Sequence, residues 1–381
     1  MKIAMLGHKR IPSREGGVEI VVEELAKRMV SLGNSVIVYN RKGKHVSGIT
    51  EENVNNTKKY RYKGIEVSTV WTLPNKSLNA IVYSFFATIK AMCSDVDVIH
   101  FHAEGPCAML PLAKLSGKRC VATIHGLDWQ RAKWGGFATR FLLFGEKMAA
   151  RYADEVIVLS KGVQEYFNET YQRQTTMIPN GVNYSVYREP QIIREKYKLQ
   201  KEGYLLFLAR LVPEKAVHTL IEAYEKSDVD MPLVIAGGSS HTSEYEARIH
   251  TMAKSSSKKI IVTGFVQGRE LEELYSNCAL YILPSEIEGM PLSLLEAMSY
   301  GCLCLTSDIK ENTDVTGECG LHFKTGDVDS LIQVLNEIVL ELKALRKSEP
   351  FRDSYIQQYI LAKYDWNDVV KRTLNCYKGL D

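Results

Sequence analysis

The stretch ALYILPSEIEGMPLSLLEAMSYG (279–301) runs from an apolar strand, Ala279–Leu283, through a loop holding Glu288-Gly289-Met290-Pro291. It enters a helix that carries Glu296 one to two turns inside it. Gly289 frees the backbone to come close to a ligand. Pro291 suits a first helical turn, where its missing N–H costs nothing. A helix start of this kind presents unpaired N–H groups and the positive end of a dipole, which suits an anion. Glu288 and Glu296 flank that start, eight residues apart. On one helix they would sit roughly 12 Å apart along the axis. That exceeds the roughly 5–9.5 Å that separates paired glycosidase carboxylates. The two acids read as grips on different parts of one long anionic ligand.

On either side of this stretch, short apolar strands alternate with helical segments. In the first half strands are expected at Lys2–Leu6, Ser35–Asn40, Ile65–Trp71, Val96–Phe101, Arg119–Ile124, Glu155–Leu159 and Thr175–Ile178. Helices are expected at about 18–32, 77–92, 107–116, 136–152 and 161–169. The pattern restarts after a polar patch near Tyr184–Gln191, with strands at Tyr204–Ala209, Leu233–Ala236, Lys259–Thr263, Ala279–Leu283 and Cys302–Thr306. Apolar strands joined by helical crossovers indicate parallel sheets covered on both faces. The expected fold is therefore α/β, with two doubly wound Rossmann-like domains and an interdomain cleft. Ligands bind at the C-terminal ends of such strands. The tail reads as helices at Asp329–Arg346 and Pro350–Tyr359, then a last one from Tyr364. Trp366, Val369, Val370, Leu374 and Tyr377 form that last helix's apolar stripe, and Asp365 or Asn367 suits its cap.

Composition excludes several classes. With 381 residues, 45% hydrophobic and 24% charged, the chain is an ordinary globular one long enough for two cores. A net charge of +3 is too mild to imply nucleic acid. The eight cysteines show no CxxC pair and read as reduced, core-filling thiols of a cytosolic protein. MKIAMLG reads as a first strand rather than a leader, and no apolar run approaches the length of a membrane span.

The first strand–helix connection, GHKRIPSREGGVEIVVEEL, lacks GxGxxG, which disfavours a nicotinamide oxidoreductase. Gly16-Gly17 still precedes a helix and lets the backbone approach a phosphate or sugar, while Lys9, Arg10 and Arg14 read as solvated charges. IHFHAE (99–104) and ATIHGLD (122–128) put three histidines at strand ends. His125 is the functional candidate among them; a buried, satisfied histidine is the alternative. No set of matching spacings supports zinc. Arg210 ends a strand, with Lys215 at the following helix start, a pairing that suits a diphosphate. In residues 129–151, Lys133, Arg140, Lys147 and Arg151 fall within about 40° of one another on a helical wheel. Trp134, Phe137, Phe141, Phe144 and Met148 occupy the neighbouring arc. This suits a membrane surface or a lipid-linked ligand. A core helix with snorkelling cations is the competing reading.

In this order the residues resemble the retaining GT-B glycosyltransferases of family 4, often called group 1. The resemblance rests on Glu288 and Glu296 as an E-x7-E element and on the Gly-Gly loop after the first strand. It rests equally on His125-Gly126, I-P-N-G-V before the second half, Arg210 with Lys215, G-F-V (264–266) and P-S-x-x-E-G (284–289). HGLDWQRAKWG further resembles bacterial enzymes that build surface polysaccharides. One departure is Ala209, where many members have glycine.

The resemblance implies an acceptor-side domain of residues 1–184 plus 364–381 and a donor domain of 185–363. It implies transfer of a hexosyl or deoxyhexosyl unit from a nucleotide-diphosphate sugar, with retention and without a metal or other cofactor. The acceptor would be a glycan or lipid-linked glycan intermediate of bacterial surface polysaccharide. By position, Arg210 and Lys215 would neutralise the diphosphate and Glu296 would bind the ribose. Glu288 and the backbone of Gly289, Met290, Pro291 and Leu292 would hold sugar and phosphate oxygens. Phe265 and Val266 would lie near the base, His125 near the sugar's hydroxymethyl end, and Gly16 and Gly17 close to the diphosphate. Lys133, Trp134, Arg140 and Lys147 would meet acceptor or membrane, in a cytoplasmic protein peripheral at the inner face of the cell membrane. Alternatives are an epimerase or a phosphorolytic enzyme on the same fold, or a non-catalytic sugar-nucleotide-binding protein.

Overall fold

Apolar strands that read as continuous runs become the centre strands of two sheets in a computed structural model, which describes residues 1–43, 59–75, 78–130, 136–238, 243–345 and 354–380. The chain divides into two compact units, Met1–Gly181 with Trp366–Asp381, and Val182–Asp365.

The N-terminal unit carries β1 (Lys2–Leu6), α1 (Gly17–Ser31), β2 (Ser35–Arg41), β3 (Lys59–Tyr62), β4 (Ile65–Val70), α2 (Asn79–Met92) and β5 (Val98–His102). It continues with α3 (Glu104–Cys107), α4 (Leu110–Lys114), β6 (Arg119–Ile124), α5 (Gly136–Tyr152), β7 (Glu155–Val158), α6 (Lys161–Tyr171) and β8 (Thr176–Met177). Strand order is β3-β4-β2-β1-β5-β6-β7-β8. Among the described strands only β3 runs antiparallel, paired to β4 at the edge. The helix expected over 107–116 is two short ones. Pro111 opens the second, a position its fixed φ favours.

The C-terminal unit carries α7 (Ile192–Tyr197), β9 (Leu205–Leu208), α8 (Val217–Lys226), β10 (Leu233–Ala236), α9 (Ser243–Ser255), β11 (Ile260–Gly264) and α10 (Gly268–Asn277). After these come β12 (Leu280–Leu283), α11 (Leu292–Ser299), β13 (Cys304–Ser307), α12 (Lys310–Thr316), β14 (Gly320–Phe323), α13 (Val328–Leu345) and α14 (Ser354–Lys363). Its parallel sheet has the order β11-β10-β9-β12-β13-β14. In each unit the order reverses beside the first strand, between β1 and β5 and between β9 and β12. Such a reversal opens a crevice at the strand C-termini.

The last helix, α15 (Trp366–Lys378), belongs to the N-terminal unit. Trp366, Val369, Val370 and Tyr377 are buried on its apolar stripe. Trp366 fills the space beside Gly181, where an added Cβ would come within 2.4 Å of its ring. Six of the eight cysteines are buried and all are free thiols.

Candidate active site

In the C-terminal unit the connections after β9 and β12 meet at the strand-order reversal. The chain leaves β9 through Ala209 and the half-buried Arg210, then forms a 3-10 turn at Pro213–Lys215. The Glu286 N–H donates to the Glu214 carbonyl at 2.9 Å, which ties this turn to the loop after β12. The Lys215 ammonium consequently meets the Glu288 carboxylate, with side chains only 12% and 7% exposed. Each charge offsets part of the other's cost of leaving water. A ligand that separates them must bring anionic oxygens for Lys215 and hydroxyl donors for Glu288.

The rest of the 279–301 stretch differs from expectation in detail. α11 starts at Leu292, so Pro291 is the N-cap rather than a first-turn residue. Gly289 is buried and lies outside the positive-φ glycines, so any close approach there depends on its missing side chain rather than on an unusual torsion. Glu296, half-buried in α11, accepts from the Tyr275 hydroxyl at 3.3 Å. The Tyr281 hydroxyl lies 3.2 Å from the Leu208 carbonyl and 2.9 Å from Ser293 Oγ, linking the end of β9 to α11. Phe265, half exposed, and buried Val266 follow β11. Near Ala209 the packing is tight: a Cβ on Gly237 would come within 1.8 Å of the Ala209 carbonyl oxygen. Glu214 was not singled out from the sequence, yet both its carboxylate oxygens are buried without a hydrogen-bond partner. The Pro-Glu-Lys triplet carries that signal beside the cation.

The N-terminal unit gathers histidines at its own reversal. A Cβ on Gly7, whose φ is +117°, would come within 2.0 Å of the His102 carbonyl oxygen, so the ends of β1 and β5 touch directly. His100 sits between the Tyr377 hydroxyl at 2.6 Å and Thr123 Oγ1 at 2.7 Å. Its ring lies 4.0 Å from that of His102. His102 Nδ1 lies 3.1 Å from Nε2 of the half-buried His125. Burial pushes the His8 pKa down to about 4 and that of His100 to about 3, and holds His102 well below its usual range, so all three are neutral. Two D-V-D segments of the sequence, at 95–97 and 327–329, serve the backbone: Asp97 accepts from the Lys2 N–H at 2.8 Å and Asp327 from the Ser330 N–H at 3.0 Å.

The glycine loop is built differently from a simple flexible turn. Gly16 is the extended N-cap of α1. A Cβ there would lie 2.1 Å from Glu19 Oε2, while Glu19 Oε1 accepts from the Lys9 N–H at 2.8 Å. Gly17 is the first residue of α1 and exposed. Arg10, expected in solvent, is buried and donates to the carbonyls of Arg41 and Gly43 at 3.0 and 3.1 Å. Arg10 is buried because the loop folds its guanidinium onto carbonyls where the chain leaves β2.

Beside His125, the loop 127–130 rests on two buried carboxyl groups that the sequence reading missed. Glu146 accepts from the Tyr166 and Tyr171 hydroxyls at 2.8 and 2.6 Å and from Trp129 Nε1 at 3.2 Å. Glu104 Oε1 accepts from the Asp128 N–H at 3.2 Å, and its Oε2 has no partner. Desolvation, then the charges of Asp128 and Glu146, push the Glu104 pKa up to about 10. Glu104 therefore carries a proton at neutral pH.

Lys133 and Trp134 lie outside the described residues. On α5, Arg140, Lys147 and Arg151 are exposed, as are Phe137 and Phe144, at 71% and 49%. Met148 is buried with Leu142 and Glu146. The cations do not run along a buried face; they alternate with two phenylalanines in one exposed stripe.

Two doubly wound sheets, each with polar residues gathered at the strand-order reversal, are the architecture of GT-B glycosyltransferases. This chain belongs to the group 1, family 4 glycosyltransferases: the profile described as Glycosyltransferase Family 4 matches residues 15–186 and that of Glycosyl transferases group 1 matches 189–349. The GPI3 subunit of phosphatidylinositol N-acetylglucosaminyltransferase from Saccharomyces cerevisiae (strain YJM789) is 23% identical over 96% of this chain and 80% of its own length. O-antigen chain mannosyltransferase B of Escherichia coli is 25% identical over 49% of this chain, and the match spans 49% of that enzyme. Among solved structures, sucrose-phosphate synthase from Thermosynechococcus elongatus superposes with a TM-score of 0.80 at 19% identity, covering 100% of this chain and 98% of that one. Anabaena HepE in complex with UDP and glucose gives 0.80 at 18%, covering both chains fully. Identities this low establish the shared GT-B fold.

Proposed function

We propose that this chain transfers a hexosyl or deoxyhexosyl unit from a nucleotide-diphosphate sugar to an acceptor, with retention and without a metal ion. The observation that carries this reading is the desolvated Lys215–Glu288 pair at the β9/β12 reversal. A diphosphate competes for Lys215, with Arg210 beside it, and releases Glu288 to accept from sugar hydroxyls. Two cations and the α11 start stabilise the leaving diphosphate, which is the role a metal would otherwise fill. Glu296 serves the ribose, Phe265 and Val266 the base, and His125 the sugar's hydroxymethyl end. HepE supports the donor class, having been solved with UDP. Lys215→Ala and Glu288→Ala should each abolish transfer in a folded protein, and wild-type turnover by either variant sinks the assignment. Activity should survive EDTA; loss that added Mg²⁺ restores refutes the metal-free part.

The acceptor in this reading is a lipid-linked glycan intermediate of surface polysaccharide, met at the inner face of the cell membrane. The exposed stripe Phe137, Arg140, Phe144, Lys147 and Arg151 supports it, since cations and aromatics together suit an anionic bilayer surface. A second exposed aromatic group, Trp71 with Phe85 and Phe86, adds apolar area on the same unit. No helix among the described residues is long and apolar enough to cross a membrane. Arg140→Glu with Lys147→Glu should weaken co-sedimentation with phosphatidylglycerol-containing liposomes. Unchanged co-sedimentation would dismiss the membrane contact.

A further inference from the structure

We propose that His102 is the positioning residue for His125: its Nδ1–H donates to His125 Nε2, which places the His125 ring proton on Nδ1 and fixes the plane of that ring. The contact distance is 3.1 Å. The single proton between the two ring nitrogens belongs to one ring or the other, and the surroundings of His102 distinguish the two cases.

His102 is fully buried, and its Nε2 has no hydrogen-bond partner. If His125 were the donor, His102 would carry its own proton on Nε2, leaving an N–H buried and unpaired. With His102 as donor, the orphan is only a lone pair. Buried donors left unpaired are the rarer and costlier case. Neutral His102 has one donor and one acceptor nitrogen, so whichever of the two faces His125 fixes the other.

The ring of His102 is also held too firmly to adjust to its neighbour. Its backbone lies in β5, with His102 in register opposite Thr123 of β6. Gly7 packs onto its carbonyl from β1. Its face lies 4.0 Å from the ring of His100, which is fixed from both sides by Tyr377 and Thr123. The chain of contacts runs from α15 through His100 to His102 and ends at His125, on the strand-end loop. The fixed partner sets the tautomer of the half-buried one. A ring with Nδ1–H is a hydrogen-bond donor to a sugar oxygen from that atom, and its Nε2 is no longer available.

The consequence for catalysis rests on the role proposed above for His125, whereas the tautomer does not. The test uses the full chain labelled with ¹⁵N in its histidine rings, without ligand, with the His125 signals assigned by loss in His125→Gln. In the wild type, His125 should show protonated Nδ1 and bare Nε2. His102→Leu should leave it a mixture of both tautomers. His102→Asn, whose amide nitrogen takes the place of Nδ1 and still donates, should restore the wild-type pattern. Hydrolysis of UDP-glucose and GDP-mannose serves as the kinetic probe. His102→Leu should lower kcat roughly tenfold to a hundredfold, the scale of a small misplacement at a reacting centre. The donor KM should stay within about threefold of wild type, and the asparagine variant should recover most of kcat.

A purely structural role would lower the melting temperature and leave the tautomer as it was. If the leucine variant does not fold, His102→Gln, whose amide reaches past the Nδ1 position, is the negative arm. Protonated Nε2 on wild-type His125, or an unchanged tautomer in the leucine or glutamine variant, overturns the proposal. If the tautomer follows the residue at position 102 while His125→Gln turns over like wild type, the assignment of His102 stands and the catalytic reading of His125 fails.

Discussion

Replacing Glu104 by glutamine should stabilise the N-terminal unit, and by more as the pH rises. Glu104 is fully buried and its pKa stands at about 10, against 4.5 for an exposed glutamate. Between these values the folded unit holds a proton that the unfolded chain has released. The folded state then binds more protons than the unfolded, so stability falls as pH rises, by about 1.4 kcal/mol per unit. From pH 6.5 to 8.5 the loss is about 2.7 kcal/mol. The glutamine removes this titration. Its amide oxygen still accepts from the Asp128 N–H, and its NH₂ can donate to Glu146. For a unit of this size about 2.7 kcal/mol corresponds to a shift of roughly 5–10 °C. The gap between variant and wild-type melting temperatures should widen by that amount over these two pH units. All four tryptophans, Trp71, Trp129, Trp134 and Trp366, lie in the N-terminal unit, so tryptophan fluorescence follows its unfolding alone. A gap that stays constant from pH 6.5 to 8.5 would show that Glu104 is ionised in the folded state and that this account of the carboxyl pair is wrong.

The buried histidines act on the other side of neutrality. The pKa values of His8 and His100 are depressed to about 4 and about 3, so the folded unit cannot take up protons that the unfolded chain binds below 6.5. Their contribution is complete well above pH 6.5 and lost as pH falls, by about 2 kcal/mol for the pair between 6.5 and 5.5; urea unfolding with equal stability at both values would refute this. Gly145→Ala should cost about 1–3 kcal/mol, because the new Cβ would lie 2.1 Å from the Glu104 carbonyl oxygen. A melting temperature equal to wild type would show that α3 can move away at no cost. In the C-terminal unit, Lys215→Met should destabilise by roughly 3 kcal/mol by stranding Glu288, and adding Glu288→Leu should recover most of that. Calorimetry that shows no recovery would mean the pair is better solvated than its geometry indicates.

Periodicity located the sheet centres well because buried parallel strands are written as apolar runs. Lys2–Leu6, Arg119–Ile124 and Leu233–Ala236 fall where the apolar residues do. The strands that sequence missed are those whose signal is not apolar. β3 is KYRY at a sheet edge, and β14 is GLHF, four residues with a histidine among them. α14 runs to Lys363 rather than Tyr359 because no glycine or proline stops it. The ion pair of Lys215 and Glu288 was legible only as two candidates, since the residues lie 73 apart and meet through a topology that places β9 next to β12. Glu146 was hidden for another reason. It shares α5 with a basic and aromatic stripe that dominates the helical wheel, and its three donors come from elements that the wheel does not contain.

The unsatisfied buried atoms show where this scaffold departs from maximum stability. His8 Nδ1, His102 Nε2 and Glu104 Oε2 follow β1 and β5, on either side of the first reversal. Both oxygens of Glu214 and the Ser285 hydroxyl oxygen follow β9 and β12, on either side of the second. A buried polar atom without a partner costs about 1–3 kcal/mol, so such atoms are expected to be rare and scattered if they are accidents of packing. Of the eleven such atoms among the described residues, these six lie at the two places where an open parallel sheet binds ligands, which argues for groups held ready there for partners that a substrate supplies. Glu214 tests the distinction most directly. It stands beside Lys215, whose ammonium turns to Glu288 instead, and neither of its carboxylate oxygens serves another residue of the loop. An isosteric Glu214→Gln should therefore leave the ligand-free melting temperature unchanged or higher, while lowering the shift produced by a saturating nucleotide sugar, because stabilisation by a ligand scales with its affinity for the folded state. A lower ligand-free melting temperature with an undiminished shift would make Glu214 a structural residue and break the link between unsatisfied atoms and substrate.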